Sequence, residues 1–220
     1  KNLKLFPLLI LFTYCFDRPH SIKVAALFSD GMVLQRNTMV DIWGTASPNN
    51  DIQILSEWGQ KVSIKSNDNG AWKAKLLSPN EGGPFFLKIN SNKESFIIRD
   101  ILVGEVWLAS GQSNMEMSLM GYPPIDTILN YKKEIRGANY PFIKMFNIEK
   151  QFSIFPAKDF KGSWLEASPS QIEKFSATAY FFAMELHKKL DLPIGIIHSS
   201  WGGSPCESWT SEDKLFELGL

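Results

Sequence analysis

Residues 101–110, Ile-Leu-Val-Gly-Glu-Val-Trp-Leu-Ala-Ser, form an almost unbroken apolar run that ends on Gly111. A strand buried on one face alternates apolar and polar residues. A run without alternation needs cover on both faces, which is the situation of a parallel strand inside an α/β sheet. Later stretches extend that reading. Residues 143–148 and 192–200 predict further strands. Between them, Ile172, Phe175, Ala179, Phe182, Ala183, Leu186 and Leu190 recur at spacings of three and four. That spacing predicts an amphipathic helix, capped by Ser168 or Ser170, with Lys188 and Lys189 at its C-terminal dipole. Strand, helix, strand is the alternation of an α/β fold.

Residues 24–101 have a different texture. Short runs such as Lys23 to Phe28, Met39 to Ala46 and Ala71 to Leu77 are separated by turn chemistry: Ser29-Asp30-Gly31, Pro48-Asn49-Asn50, Asp68-Asn69-Gly70 and Glu81-Gly82-Gly83-Pro84. Asn69-Gly70 predicts a hairpin. Repeated short strands at this spacing predict a β-sandwich over residues 22–102, with a second, α/β domain over 103–220.

The first residues predict a leader. Lys1 and Lys4 are a short basic region, and Leu5 to Phe16 an apolar run too short to span a bilayer comfortably. Residues 1–21 are therefore expected to be a signal peptide. The expected location is secreted or periplasmic, with no stable membrane span. Cys15 at the end of the run leaves a lipid-anchored form open. With Cys206 it makes two cysteines, too few for a disulfide framework or a zinc site. No metal and no cofactor are expected. Twenty-three basic residues balance 23 acidic ones, which argues against a nucleic-acid partner. Seven Trp and 16 Phe are first a core supply, with enough left over to line a carbohydrate site.

Loops at the carboxyl ends of parallel strands are the usual place for a site in such folds. One such loop carries Gly111-Gln112-Ser113-Asn114 and another Trp201-Gly202-Gly203-Ser204. Gly111 permits a sharp turn without a Cβ clash. Ser113 then has two readings, a turn-and-cap serine or a nucleophile. As a nucleophile it would have its own amide, and one from Gly202 or Gly203, to receive an oxyanion. The block lacks the second glycine of the G-x-S-x-G elbow, where Met115 stands.

The blocks "LFSDGMVLQR", "DIWGTA", "ILVGEVWLASGQSNMEMSL" and "FSATAYFFAMELHKKLDLPIGIIHSSWGGSPCESW", in this order over about residues 27–210, resemble the sialate O-acetylesterase family of SGNH, or GDSL-type, serine hydrolases. The resemblance implies a secreted or periplasmic esterase acting on O-acetylated sialic acid or another acetylated glycan, with a β-domain beside a flavodoxin-like SGNH-hydrolase domain. It implies Ser113 as nucleophile, and the Ser113 amide with a glycine of the Gly202-Gly203 pair as oxyanion hole. Gln112 and Asn114 are expected to hold the loop or touch substrate, and Glu207 and Trp209 to lie near it. The family's late Asp-x-x-His has no counterpart here. The histidines are His20, His187 and His198, of which His187 reads as a helix-boundary residue and His198 as a packed one. The expectation is therefore an incomplete SGNH domain whose base lies beyond Leu220. Cys206 reads as a passive thiol.

Two other functions fit the same residues. An acetylxylan or other plant-polysaccharide deacetylase shares the Gly-Gln-Ser-Asn-Met block. A non-catalytic glycan-binding remnant would use Trp43, Trp58 and Trp72 on an exposed sandwich face.

Overall fold

The computed structural model describes residues 21–92, 94–153 and 155–219. The leader reading, Cys15 and His20 fall outside these residues. The first part is all strand: β1 (Lys23–Val24), β2 (Val33–Gln35), β3 (Met39–Thr45), β4 (Asp51–Ser56), β5 (Lys61–Lys65), β6 (Ala71–Leu77), β7 (Gly82–Ser91) and β8 (Ser95–Gly111). Then follow α1 (Ser113–Glu116), α2 (Tyr131–Gly137), β9 (Tyr140–Ile148), β10 (Gly162–Ala167), α3 (Ala177–Leu190), β11 (Ile194–Ser200) and α4 (Glu212–Glu217). The result is a mixed α/β protein with much sheet and little helix. No described helix is long and apolar enough to cross a membrane.

Alternation builds the first core. Along β6, Trp72, Ala74 and Leu76 are buried while Lys73, Lys75 and Leu77 face out, the period-two signature of a half-buried strand. β1, β3 and β6 form one three-stranded sheet. A larger sheet runs β10-β9-β11-β8-β7-β4-β5, with β2 also paired to β8. Ile42, Trp72 and Leu76 of the small sheet share one apolar cluster with Ile52, Ile54, Leu87, Ile89 and Ile101 of the large one.

Several local expectations change. The Asn69-Gly70 turn does not close a hairpin, because β5 pairs with β4 and β6 with β3, so the turn carries the chain between sheets. Asn67 builds it, its carboxamide oxygen accepting from the amides of Asn69 (3.0 Å) and Ala71 (2.9 Å). The run from Lys23 to Phe28 leaves the sheet after Val24, and Phe28 N–H turns back to the Ala25 carbonyl. The long helix starts at Ala177, not near Ser168. Ser176 is its cap, accepting from Ala179 N–H at 3.2 Å, and Ile172 belongs to a separate 3-10 turn. The inward face is accordingly Ala177, Ala179, Tyr180 and Ala183, and Phe182 and Leu190 are exposed.

β8 organises the molecule. Residues 95–103 pair antiparallel with β7, and residues 105–111 pair parallel with β11. The domain boundary expected at 102/103 therefore falls inside one strand of 17 residues. A bulge at Arg99 and Asp100 marks the first half, where Asp100 takes a left-handed φ of 56° and its carboxylate meets the buried Lys144 ammonium at 3.1 Å. A second core gathers Leu119, Ile143, Met145, Phe175, Tyr180 and Ile196 under α3. Successive β9 residues serve both cores, Met145 the second and Phe146 the first.

Candidate active site

β8 and β11 run parallel, and both end at the same rim of the sheet. Gly111, at φ 134°, turns the chain out of β8, and its carbonyl accepts from Trp201 N–H at 2.9 Å. That bond carries the parallel ladder one step beyond the strands and ties the two exit loops together. Ser113 opens α1 directly after the turn. The start of α3 anchors α1: Thr178 Oγ1 donates to the Asn114 carbonyl at 2.9 Å, and Ala177 N–H to the Met117 carbonyl at 2.9 Å.

This places the two sequence blocks against each other. A Cβ built on Gly202 would lie 3.4 Å from Ser113 Oγ and 2.9 Å from Glu116 Oε2. The glycine is what lets the second loop close on the serine. Among the described residues, neither the Ser113 hydroxyl nor its amide has a hydrogen-bond partner. The Gly202 amide is engaged, because it donates to Glu116 Oε2. The Gly203 amide carries no hydrogen bond among the described residues, and open space surrounds its Cβ position.

Gln112 and Asn114 flank the serine with exposed side chains. Gln112 contributes its carbonyl, which accepts from Met115 and Glu116 N–H. Trp209 Nε1 donates to Ser204 Oγ at 2.8 Å, and Ser204 Oγ donates to the Trp201 carbonyl at 2.6 Å. Trp209 thereby braces the glycine loop. Glu207 is exposed on the same 3-10 turn as Cys206 and makes no such contact. A cleft of about 750 Å³ opens beside Gly202 and Gly203, lined by Lys150, Phe152, Phe160, Trp201, Ser204 and Trp209.

Two residues without a signal in the sequence, Glu116 and Lys150, also belong to the site. Glu116 stands one helical turn after Ser113. One oxygen takes the Gly202 amide and the other takes the Lys150 ammonium, which also lies over the Trp201 ring at 5.7 Å. The Lys150 hydrogen bond, with help from the Gly202 amide, holds the Glu116 carboxyl below its ordinary range despite partial burial.

His198 is committed elsewhere. Its Nδ1 lies 3.0 Å from Asn147 Oδ1, and its Nε2 lies 2.7 Å from Ser200 Oγ and 3.2 Å from the Met115 carbonyl. No hydrogen bond joins it to Ser113. His187 Nδ1 meets the Leu192 carbonyl at 2.7 Å, beyond the helix end. The three tryptophans of the glycan-binding alternative form no exposed face. Trp72 is buried, Trp43 meets Phe28 edge-on at 4.6 Å, and Trp58 donates to the Leu77 carbonyl at 2.9 Å.

Burial depresses the His198 pKa below 6.5, outweighing its Met115 hydrogen bond and the nearby Glu116 charge. The unfolded chain therefore takes up this proton first as pH falls. Stability is lost from about pH 6.5 down through the lower folded-state value. Melting temperature measured between pH 7.5 and 5 should fall more steeply for the natural protein than for His198→Gln. Parallel curves would refute this role of the imidazole.

No family model matches the chain. It is 29% identical over 220 residues to human sialate O-acetylesterase, covering 90% of this chain and 40% of the relative. The Pongo abelii sialate O-acetylesterase matches at the same identity and coverage. Among solved structures, a carbohydrate acetylesterase from Xanthomonas citri superposes with a TM-score of 0.82 at 35% identity, over 90% of this chain and 44% of that one. The chain thus spans less than half the length of each relative. Over nine-tenths of its own length, it is similar to the sialate O-acetylesterases.

Proposed function

We propose that the full-length protein is a carbohydrate O-acetylesterase that removes acetyl groups from sialic acids or related glycans through Ser113. The observation that carries this reading is a serine with an unengaged hydroxyl, set by Gly202 against a second loop at the carboxyl ends of two parallel strands. The homology to sialate O-acetylesterases supports the substrate class.

In this mechanism a base takes the Ser113 proton as the oxygen attacks the acetyl carbonyl. The Ser113 and Gly203 amides receive the developing oxyanion. One such donor is typically worth roughly 3 kcal/mol of barrier. The sugar oxygen leaves with a proton, and water then cleaves the acetyl-serine. A serine hydroxyl needs that base, and among the described residues no histidine is hydrogen-bonded to Ser113. The Asp-x-x-His implied by the family resemblance fills the role in the full-length protein. The aromatic cleft beside Gly203 takes the body of the glycan, with Trp201 and Trp209 as ring faces.

The finer architecture follows the same reading. The small sheet and the outer strands of the large one form a β-sandwich, and β8, β9, β11 and α3 belong to an SGNH-hydrolase layer. A leader in residues 1–21 would make the protein secreted or periplasmic.

The test is acetate release by the full-length protein from O-acetylated sialoglycan and, in parallel, from acetylated xylan. Release from the sialoglycan supports the reading. Release from xylan alone transfers it to a plant-polysaccharide deacetylase, and release from neither rejects it.

A further inference from the structure

We propose that Glu116 is a positioning residue: it holds the Gly202-Gly203 loop against the Ser113 turn and leaves the Gly203 amide as the loop donor for an acyl oxygen. The inference rests on the reading of Ser113 as nucleophile.

Three elements converge on this carboxylate. α1 carries it, one helical turn after Ser113. The loop after β11 gives it the Gly202 amide, 86 residues away in sequence. The segment after β9 gives it Lys150, which also lies over the Trp201 ring. Glu116 is thus the side chain that joins α1 to the glycine loop. The only other hydrogen bond between the two exit loops among the described residues is Trp201 N–H to the Gly111 carbonyl.

The contact also separates the two glycine amides. An N–H already given to a carboxylate is a poor donor to a second anion, because the oxyanion would have to displace a charged acceptor. Gly202 N–H is in that state and Gly203 N–H is not. Gly203 takes a left-handed φ of 80°, with nothing within 4 Å of its Cβ position, and borders the cleft. A free donor next to an anchored one is pre-organised without being consumed. The carboxylate carries its charge through the neutral range, since Lys150 and the Gly202 amide hold its pKa down.

The experiment uses the full-length protein and p-nitrophenyl acetate, with variants E116Q, E116D, E116A and S113A. In E116Q the amide oxygen still accepts from Gly202, so kcat should stay within about threefold. E116D is a methylene too short to reach, and E116A has no acceptor. Both should lose about ten- to a hundredfold in kcat with KM within about twofold, the usual result of mispositioning at a reacting centre. A purely structural role would lower the folded fraction without that split or the E116Q rescue.

E116A and E116D turning over like the natural protein would overturn the proposal. So would a faster E116A, which would make the carboxylate a block on the donor. S113A retaining activity would instead sink the nucleophile reading. The tether is then read without turnover, from hydrogen exchange at the Gly202 amide. That amide should be protected in the natural protein and E116Q and unprotected in E116A. Equal protection in all three rejects the tether.

Discussion

Ser113→Ala in the full-length protein is expected to lower acetate release by about a thousandfold or more while leaving the melting temperature within about two degrees. The two halves of this expectation have separate causes. A nucleophile that forms the covalent intermediate cannot be bypassed cheaply; removing the serine of a serine hydrolase costs on the order of a millionfold in kcat. The residual rate comes from oxyanion donors and binding, which survive the change. Stability should hardly move, because the hydroxyl is half-buried and has no hydrogen-bond partner among the described residues. Its removal leaves no orphaned group behind. Activity and thermal unfolding measured on one preparation therefore separate chemistry from fold. Activity within tenfold of the natural protein would eliminate Ser113 as nucleophile.

Gly104→Ala should do the opposite, damaging the fold through a site remote from the serine. Gly104 sits in β8 between its two pairing partners, with Gln35 of β2 opposite it and Ile194 of β11 opposite its neighbour Glu105. A Cβ there would lie 2.0 Å from the Pro193 carbonyl oxygen, 2.8 Å from its carbon and 3.0 Å from Pro193 Cβ. None of these atoms can swing away. The same carbonyl accepts from Glu105 N–H at 3.0 Å, and the Gly104 carbonyl accepts from Arg36 N–H at 2.9 Å. Relief requires shifting two strands. Overpacking of this kind costs roughly 3 kcal/mol, or a fall of about 6–12 °C in melting temperature for a protein of this size. A drop under about 2 °C would mean the backbone contact is soft.

Both loops of the candidate site were legible because each is a local string: an apolar run, a glycine, then Gln-Ser-Asn or Trp-Gly-Gly-Ser. Strands β3 to β6 were legible because turn residues bracket them. What escaped was relational. Asn69-Gly70 carries hairpin chemistry, yet the Asn67 carboxamide and the stacking of two sheets decide where the chain goes next. Ser168 and Ser170 are the caps the sequence suggests, but the cap is Ser176. Phe175 buries completely and leaves the chain extended just before Ser176, which settles the matter. Glu116 carries no local signal, because its partners Gly202 and Lys150 lie far along the sequence. His198 is a packed residue, as its place inside a buried strand predicts, and its hydrogen bonds to Asn147 and Ser200 hold it so.

The continuity of β8 bears on how such a protein can evolve. At about 3.3 Å per residue the strand has a contour of roughly 55 Å, bent at the Arg99–Asp100 bulge, rooted in one core and ending at the serine turn. A crossover point placed at the 102/103 boundary would cut a strand paired on both sides of the cut. A recombination event that swapped the first hundred residues would also swap the footing on which the serine stands. The two halves are therefore poor cassettes for shuffling. Drift on the exposed faces of the first core leaves that footing in place, whereas a change in the pairing of residues 95–104 moves the strand that ends at Gly111.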